Sequence, residues 1–508
     1  MMKKYLKKTW EKLSKAFCQE EENSKQKINT RLHKVYFVLG LIMIMEIGVL
    51  YINSGVVTGI NKKADKYKIA AITEADINTI AAGDIFDRNG VTIVKSEVPK
   101  EGSVYNSAYI DDYAYSQVIG YTGKTKSVRG FDVVEEQGRD YRLMKLYNEE
   151  LYETSNINGN KGSSLNITID HNIQMKVMEL LLNEMTIEDR GSAVVLDAKT
   201  GEVLSMVSLP SFNVNNINEG IKTMESFDKE KEIYYPITHK GAEVMGSIFK
   251  IITDVSIIDS GQENFTAVDS NFKIGDTDIV NDYGSVGDTI NYHEATVRSS
   301  NVFFAKAVLA DGGQALNETA EKFMIGKDIE LDFGTINSNW DLDLSNNLDL
   351  AYTAFGQGKT LSSTIVAAMM TQAIANDGVM LKPYMIKSIV RDDGKVLQEG
   401  KTEVLSEVTS YETANKVTEA MKDAVKSYIK SVEGEENKEI YRKYNVAGKT
   451  GTGQRGDENN TNNAWFVSFA PADDPKYVVV VNQICTTKYG IKMMDTAAGI
   501  YEYLFNQN

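Results

Sequence analysis

Ser192-Ala-Val-Val-Leu-Asp197 and Glu202-Val-Leu-Ser-Met-Val207 are two apolar runs joined by Ala-Lys-Thr-Gly, the pattern of a β-hairpin. The far end of the chain repeats the strand signal. Lys449–Gly453, Ala464–Ala470 and Tyr477–Ile484 read as three adjacent strands, followed by a closing helix over Met493–Leu504. Between the two strand groups, residues 247–259, 302–309 and 361–376 have the spacing of buried or half-buried helices, the last rich in Ala and Met. Strands at both ends with helices between them predict an α+β fold whose sheet joins distant segments. No repeat of 20–50 residues is visible.

Outward from this region the composition is that of a packed protein. The 508 residues are 42% apolar and 25% charged, with 38 Gly and 6 Pro, which excludes collagenous, low-complexity and wholly disordered chains. A net charge of −16 argues against broad nucleic-acid binding. Residues 1–34 nevertheless carry ten Lys/Arg against four Glu, +6, which leaves −22 on the other 474. Val35–Ile52 follows, 18 residues interrupted by one charge, Glu46, and long enough for a transmembrane helix. The basic flank predicts a cytoplasmic tail over 1–34, an uncleaved anchor over 35–52 and an extracytoplasmic remainder. Cys18 and Cys485 then lie on opposite sides of the membrane and cannot pair. Residues 53–160 are polar with short apolar runs and turn signals such as Asp87-Arg-Asn-Gly90, as in a small β-rich stalk. Residues 161–508 form the main domain.

Several catalytic patterns fail. Gly448-Lys449-Thr450 lacks the glycine that a phosphate-binding loop needs, since Lys443 stands there. His293-Glu294 lacks the second histidine of a zinc site, where Val297 stands, and no serine sits in a G-x-S-x-G elbow. What remains is serine chemistry with a lysine base. A serine hydroxyl needs a base to take its proton, and lysine can serve if burial or a neighbouring cation lowers its pKa. Ser at i and Lys at i+3 share a helix face. Such pairs begin at Ser24, Ser226, Ser247, Ser270 and Ser427, so the pair alone decides nothing. Only Ser247-Ile-Phe-Lys250 runs into a long apolar helix, which would desolvate Lys250, while the free N–H groups of the helix start could receive an oxyanion.

Ser299-Ser-Asn301 lies 52 residues beyond Ser247, and Lys449-Thr-Gly-Thr452 lies 202 beyond it on an expected strand. A second Lys-Thr-Gly, Lys199–Gly201, falls in the first hairpin's turn. The order S-x-x-K, S-x-N, K-T-G resembles that of penicillin-binding proteins. The chain as a whole is similar to the class B members, peptidoglycan D,D-transpeptidases. Gly83–Gly90 resembles their stalk motif; Leu165–Asp170 with Gln174, and Ala193–Pro210, resemble the entry to their catalytic domain. Phe355-Gly-Gln-Gly358, Ala375–Gly378, Lys449–Gln454 and Trp465–Pro471 match later segments. The resemblance implies a serine β-lactamase-like α+β domain with an antiparallel sheet flanked by helices, above a small stalk and one membrane anchor.

It also implies roles. Ser247 would attack the penultimate D-Ala of a stem pentapeptide and expel the terminal D-Ala, with Lys250 as base. Ser299 would shuttle the proton; Asn301 would hold Lys250 and bind the substrate amide. Lys449, Thr450, Gly451 and Thr452 would receive the substrate carboxylate, and the N–H groups of Ser247 and Thr452 would form the oxyanion hole. Neither metal nor cofactor is implied, and β-lactam antibiotics would acylate the same serine. The span between anchor and catalytic domain is too short for a second, glycan-polymerising domain, so the resemblance implies a partner, a SEDS-type membrane glycosyltransferase. Glu46 would either meet that partner within the membrane or lie near the outer interface and stay wet. Met245, Ile248 and Ala82 stand where the family usually has proline, threonine and arginine. Two alternatives share the motifs. A D,D-carboxypeptidase or β-lactamase would resolve the acyl-enzyme with water, though a β-lactamase would lack stalk and anchor. A β-lactam sensor should carry more than 34 residues inside the cell, and a non-catalytic scaffold should have lost a motif residue, which this chain has not.

Overall fold

The computed structural model describes residues 83–96, 107–120, 163–186, 189–216, 236–332, 334–336, 338–391 and 394–507. All belong to one compact unit, Ala75–Asn508. The basic tail, the apolar segment 35–52 with Glu46, and most of 53–160 lie outside the described residues. Among those described, no helix is long and apolar enough to cross a membrane.

The strands used below are β1 (Ile85–Phe86), β2 (Thr92–Ser96), β3 (Ser107–Tyr109), β4 (Ser164–Ile167), β5 (Arg190–Asp197) and β6 (Val203–Leu209). Later in the chain come β7 (Ile386–Val390), β8 (Val396–Glu399), β9 (Ala447–Gln454), β10 (Asn462–Ala470) and β11 (Tyr477–Thr486). The helices are α1 (His171–Glu184), α2 (Lys250–Asp259), α3 (Tyr292–Arg298), α4 (Asn301–Asp311), α5 (Thr364–Ala375), α6 (Tyr411–Tyr428) and α7 (Met493–Asn506).

The main sheet has the order β9-β10-β11-β5-β6, every neighbour antiparallel. Its first hairpin is the one expected at 192–207, and its last three strands are those expected near the C-terminus. β11 pairs with β5 in full register from Tyr477↔Asp197 to Ile484↔Arg190, so the two chain ends close one sheet. Helix α5 packs on β5, β10 and β11, while α7 and α1 pack together on the same sheet. A sheet covered on both faces explains why Val478–Val481 are all fully buried and read as a continuous apolar run instead of an alternating one. Every residue of α5 is buried, so the Ala- and Met-rich segment is the central helix.

A second, six-stranded sheet has the order β8-β7-β4-β1-β2-β3. The Asp87–Gly90 turn joins β1 to β2 as expected, with the Asp87 carboxylate accepting the N–H groups of Asn89 and Val91 at 2.8 Å each. β7 and β8, however, come from the middle of the main domain. The sheet therefore crosses the boundary expected near residue 160, and β4 pairs with β1 on one side and β7 on the other. Thr168 joins the two sheets: its N–H donates to Met385 O and its hydroxyl to Val203 O, both at 2.7 Å.

Candidate active site

Ser247 lies in a 3₁₀ turn, Gly246–Phe249, that runs directly into α2. The turn is held from behind. Gly246 N donates to Gly356 O at 2.8 Å, and Trp465 Nε1 donates to Val244 O at 2.9 Å. Gly246 has φ +56°, and a Cβ there would stand 2.6 Å from Thr452 O; a Cβ on Gly356 (φ +76°) would stand 2.1 Å from Gly246 O. Both glycines are thus required by close backbone approach, which explains the first glycine of Phe355-Gly-Gln-Gly358.

Lys250, at the start of α2, is fully buried and joins the first two motifs. Its Nζ lies 2.9 Å from Ser247 Oγ, 2.7 Å from Ser299 O, 3.1 Å from Ser299 Oγ and 2.7 Å from Asn301 Oδ1. The Asn301 amide is oriented by its Nδ2, which donates to Val280 O at 3.1 Å. Burial, then the nearby Lys449 ammonium, push the Lys250 pKa well below that of ordinary lysine; Asp282, Asp254 and Asp269 oppose this only in part. A neutral amine has two N–H groups and one lone pair. The carbonyl of Ser299 and the amide oxygen of Asn301 can only accept, so they take the two hydrogens, and the lone pair is left to the hydroxyls of Ser247 and Ser299. That is the arrangement of a base facing its nucleophile.

Ser299 closes α3 in the left-handed conformation, φ 61° and ψ 43°, uncommon for a residue with a side chain. Ser300 then caps α4, its Oγ accepting Phe303 N at 2.9 Å and donating to Asp269 Oδ1 at 2.6 Å. Asp269 also receives Asn281 Nδ2 at 2.7 Å and Tyr283 OH at 2.6 Å. This network fixes the break between the two helices, and hence where Ser299 and Asn301 point. None of its three outer members was marked by the sequence, because a carboxylate, an amide and a phenol in a polar loop carry no pattern.

Lys449 on β9 is also fully buried. Its Nζ donates to Ser299 Oγ at 2.9 Å, Tyr428 OH at 3.0 Å and Thr450 O at 3.0 Å. Thr450 and Thr452 are half-buried, and Thr452 Oγ1 accepts Gly490 N at 3.2 Å. Gly451 is buried beneath Ile248, where a Cβ would stand 2.8 Å from Ile248 Cγ2. Thr452 O receives Gln357 Nε2 at 3.4 Å on the side away from β10. In an antiparallel strand the N–H and C=O of one residue point the same way, so Thr452 N–H faces the same open side, beside the Ser247 turn.

The structure therefore gathers Ser247, Lys250, Ser299, Asn301 and Lys449 around two lysine side chains, with Thr450–Thr452 alongside. The remaining patterns lie elsewhere. Lys199–Gly201 is the first hairpin's turn, and His293 Nε2 sits 3.0 Å from Asp423 in a surface pair. Two site residues went unmarked. Tyr428 ends α6 against Lys449. Asp254, one turn beyond Lys250, is fully buried, accepts Thr296 Oγ1 at 2.5 Å, and has its pKa pushed up to about 8 by burial.

Residues 191–498 match the model of the penicillin binding protein transpeptidase domain. The chain is 24% identical over 395 residues to a peptidoglycan D,D-transpeptidase PbpA of Mycolicibacterium smegmatis, covering 74% of this chain and 78% of that protein. It is 25% identical over 426 residues to a peptidoglycan D,D-transpeptidase MrdA of Acinetobacter baumannii, covering 73% and 58%. Among solved structures, penicillin-binding protein A from M. tuberculosis, as its ceftriaxone acyl-enzyme complex, superposes with a TM-score of 0.72 at 21% identity, covering 84% of this chain and 99% of that one.

Proposed function

Since the chain belongs to the penicillin-binding protein transpeptidase family, we propose that the cluster around Lys250 is the acylation centre of a serine D,D-transpeptidase that cross-links peptidoglycan and is the target of β-lactams. The observation that carries this reading is the position of Lys250 Nζ, 2.9 Å from Ser247 Oγ, with no carboxylate among the described residues paired to it.

Ser247 Oγ gives its proton to Lys250 Nζ and forms a bond to the carbonyl carbon of the penultimate D-Ala. The oxyanion is received by the N–H groups of Ser247 and Thr452. The C–N bond to the terminal D-Ala breaks, and its nitrogen takes the proton that Lys250 returns through Ser299 Oγ, which lies 3.1 Å from Lys250 Nζ. An amine from a neighbouring stem peptide then attacks the acyl-enzyme, loses its proton to Lys250 by the reverse route, and Ser247 regains its hydrogen. Asn301 holds Lys250 and meets the substrate amide, while Thr450 and Thr452 beside Lys449 receive the terminal carboxylate. A D,D-carboxypeptidase would run the same first half and finish with water.

The test is intact-protein mass spectrometry and fluorescent-penicillin labelling of wild type and Ser247→Ala, followed by incubation with a stem pentapeptide and an acceptor amine. Stoichiometric labelling lost in the variant, with cross-linked product, is expected; free tetrapeptide as sole product would indicate hydrolysis. The apolar segment 35–52 behind a basic tail supports an anchored, extracytoplasmic enzyme. The short span before the catalytic domain supports a SEDS-type glycosyltransferase partner in the membrane. If Glu46 contributes to that contact, Glu46→Leu lowers recovery of the partner on co-purification; equal recovery removes Glu46 from the interface.

A further inference from the structure

An ammonium group has three N–H donors. Those of Lys449 are matched by three acceptors, Ser299 Oγ, Tyr428 OH and Thr450 O, at 2.9–3.0 Å. The lysine expected to attract the substrate carboxylate therefore has no hydrogen left to give it. Beyond the field of its charge, it can share a hydrogen bond with an anion only through a hydroxyl that accepts from it and is free to donate onward. Two hydroxyls accept from it. Ser299 already serves Lys250, 3.1 Å away. Tyr428 has no such second duty: its oxygen accepts from Lys449, its ring lies with the centroid 5.4 Å from Nζ, and no described residue accepts its own O–H. Tyr428 is half-buried at the last turn of α6, whereas Lys449 is fully buried. The other cation at the end of β9, Arg455, is drawn to carboxylates instead, with Glu243 at 2.8 Å and Asp457 at 3.6 Å.

We propose that Tyr428 is a specificity-determining residue whose hydroxyl, polarised by Lys449, donates a hydrogen bond to the carboxylate of the acyl donor. This rests on the acyl-transfer reading above and extends it to a residue outside the three motifs. A phenol that accepts from an ammonium is a stronger donor than one in water, and a carboxylate is the acceptor that gains most from it.

The test compares Tyr428→Phe, which keeps the ring against Lys449 and removes only the hydroxyl, with wild type. Both are acylated by benzylpenicillin and by its methyl ester, which lacks the carboxylate charge, and the second-order rate of adduct formation is followed by mass spectrometry. A lost hydrogen bond to a charged group predicts benzylpenicillin acylation slower by about 10- to 100-fold. The methyl ester rate should stay within about twofold, which also reports that the variant is folded. If both rates fall together, the hydroxyl only steadies Lys449 and the proposal is overturned. Unchanged rates for both overturn it as well. A wild-type enzyme that forms no adduct at Ser247 would instead defeat the acyl-transfer reading, and this one with it.

Discussion

Lys250 and Asp254 are one helical turn apart, both fully buried, and burial drives each toward its neutral form: the lysine pKa falls and the carboxyl pKa rises to about 8. For catalysis the neutral lysine is the active form, so acylation should decline on the acid side as Lys250 gains its proton. Lys449 is the second-largest cause of that lowering. Lys449→Gln should therefore move the acid limb of the limiting acylation rate to higher pH, besides weakening substrate binding; a limb that stays put would mean that burial alone sets the base. Asp254 makes a prediction about stability. Its folded value lies above the ordinary 3.8, so the fold retains a proton that the unfolded chain releases, and stability falls as pH rises from about 4 to about 8. In Asp254→Asn that dependence is absent. The unfolding free energy of the variant minus that of wild type, from denaturant titration at each pH, should grow across this window by at most about 6 kcal/mol and level off above it. The nucleophile, base and cation were readable from sequence because their chemistry demands particular side chains at set spacings. Asp254 and Tyr428 were not, since a single acid or phenol on a helix acquires meaning only from what is folded against it.

At the level of elements, the site depends on three interruptions of regular structure: the 3₁₀ turn at Ser247, the left-handed Ser299 between α3 and α4, and the Phe355–Gly358 loop behind the turn. Gly356→Ala would force a methyl to within 2.1 Å of Gly246 O at a positive φ. Displacing the turn that carries Ser247 should cut the acylation rate by more than about tenfold, with stability lowered by about 1–3 kcal/mol in chemical denaturation; wild-type rates would show that the turn does not lean on this loop. Glu243 is a second support. It is buried beside the turn, and its carboxylate holds Arg455 at 2.8 Å and Asn463 Nδ2 at 3.0 Å. Glu243→Ala leaves the buried Asn463 Nδ2 without this acceptor, while Arg455 keeps Asn463 Oδ1 at 3.3 Å and Asp457 at 3.6 Å, and should lower the unfolding free energy by about 1–3 kcal/mol, read from denaturant titration. The hairpin at 192–207, the three C-terminal strands and three of the helices between were legible because each is a sustained apolar run; the long, amphipathic α6 was not read. The pairing of β7 with β4 was not: Ile386 and Ile167 lie more than two hundred residues apart, and nothing local announces such a partner.

For the whole molecule, the pairing of β4 with β1 carries one sheet across the boundary read near residue 160. β4 needs β1 on one side, the buried Gln174 of α1 donates to Ala114 O at 2.9 Å, and Gln117 donates to Pro210 O. A fragment starting at residue 161, the boundary read from sequence, loses these partners. It should melt at least about 5 °C below a fragment starting at residue 75, judged by circular dichroism; equal melting would make the small sheet a passenger. The main sheet carries a further consequence. β9 is its outermost strand, and an unpaired strand is a template onto which another extended chain can grow. Here α6 packs against β9, with Tyr428 at Lys449, and the Gly246 turn stands against Thr452. Between these two stops lie two residues, Thr450 and Gly451, about 7 Å of backbone, enough to meet the end of a short peptide and too little to nucleate a copy of the strand itself. The molecule keeps a reactive flank open to its substrate while shielding itself from self-polymerisation into fibres.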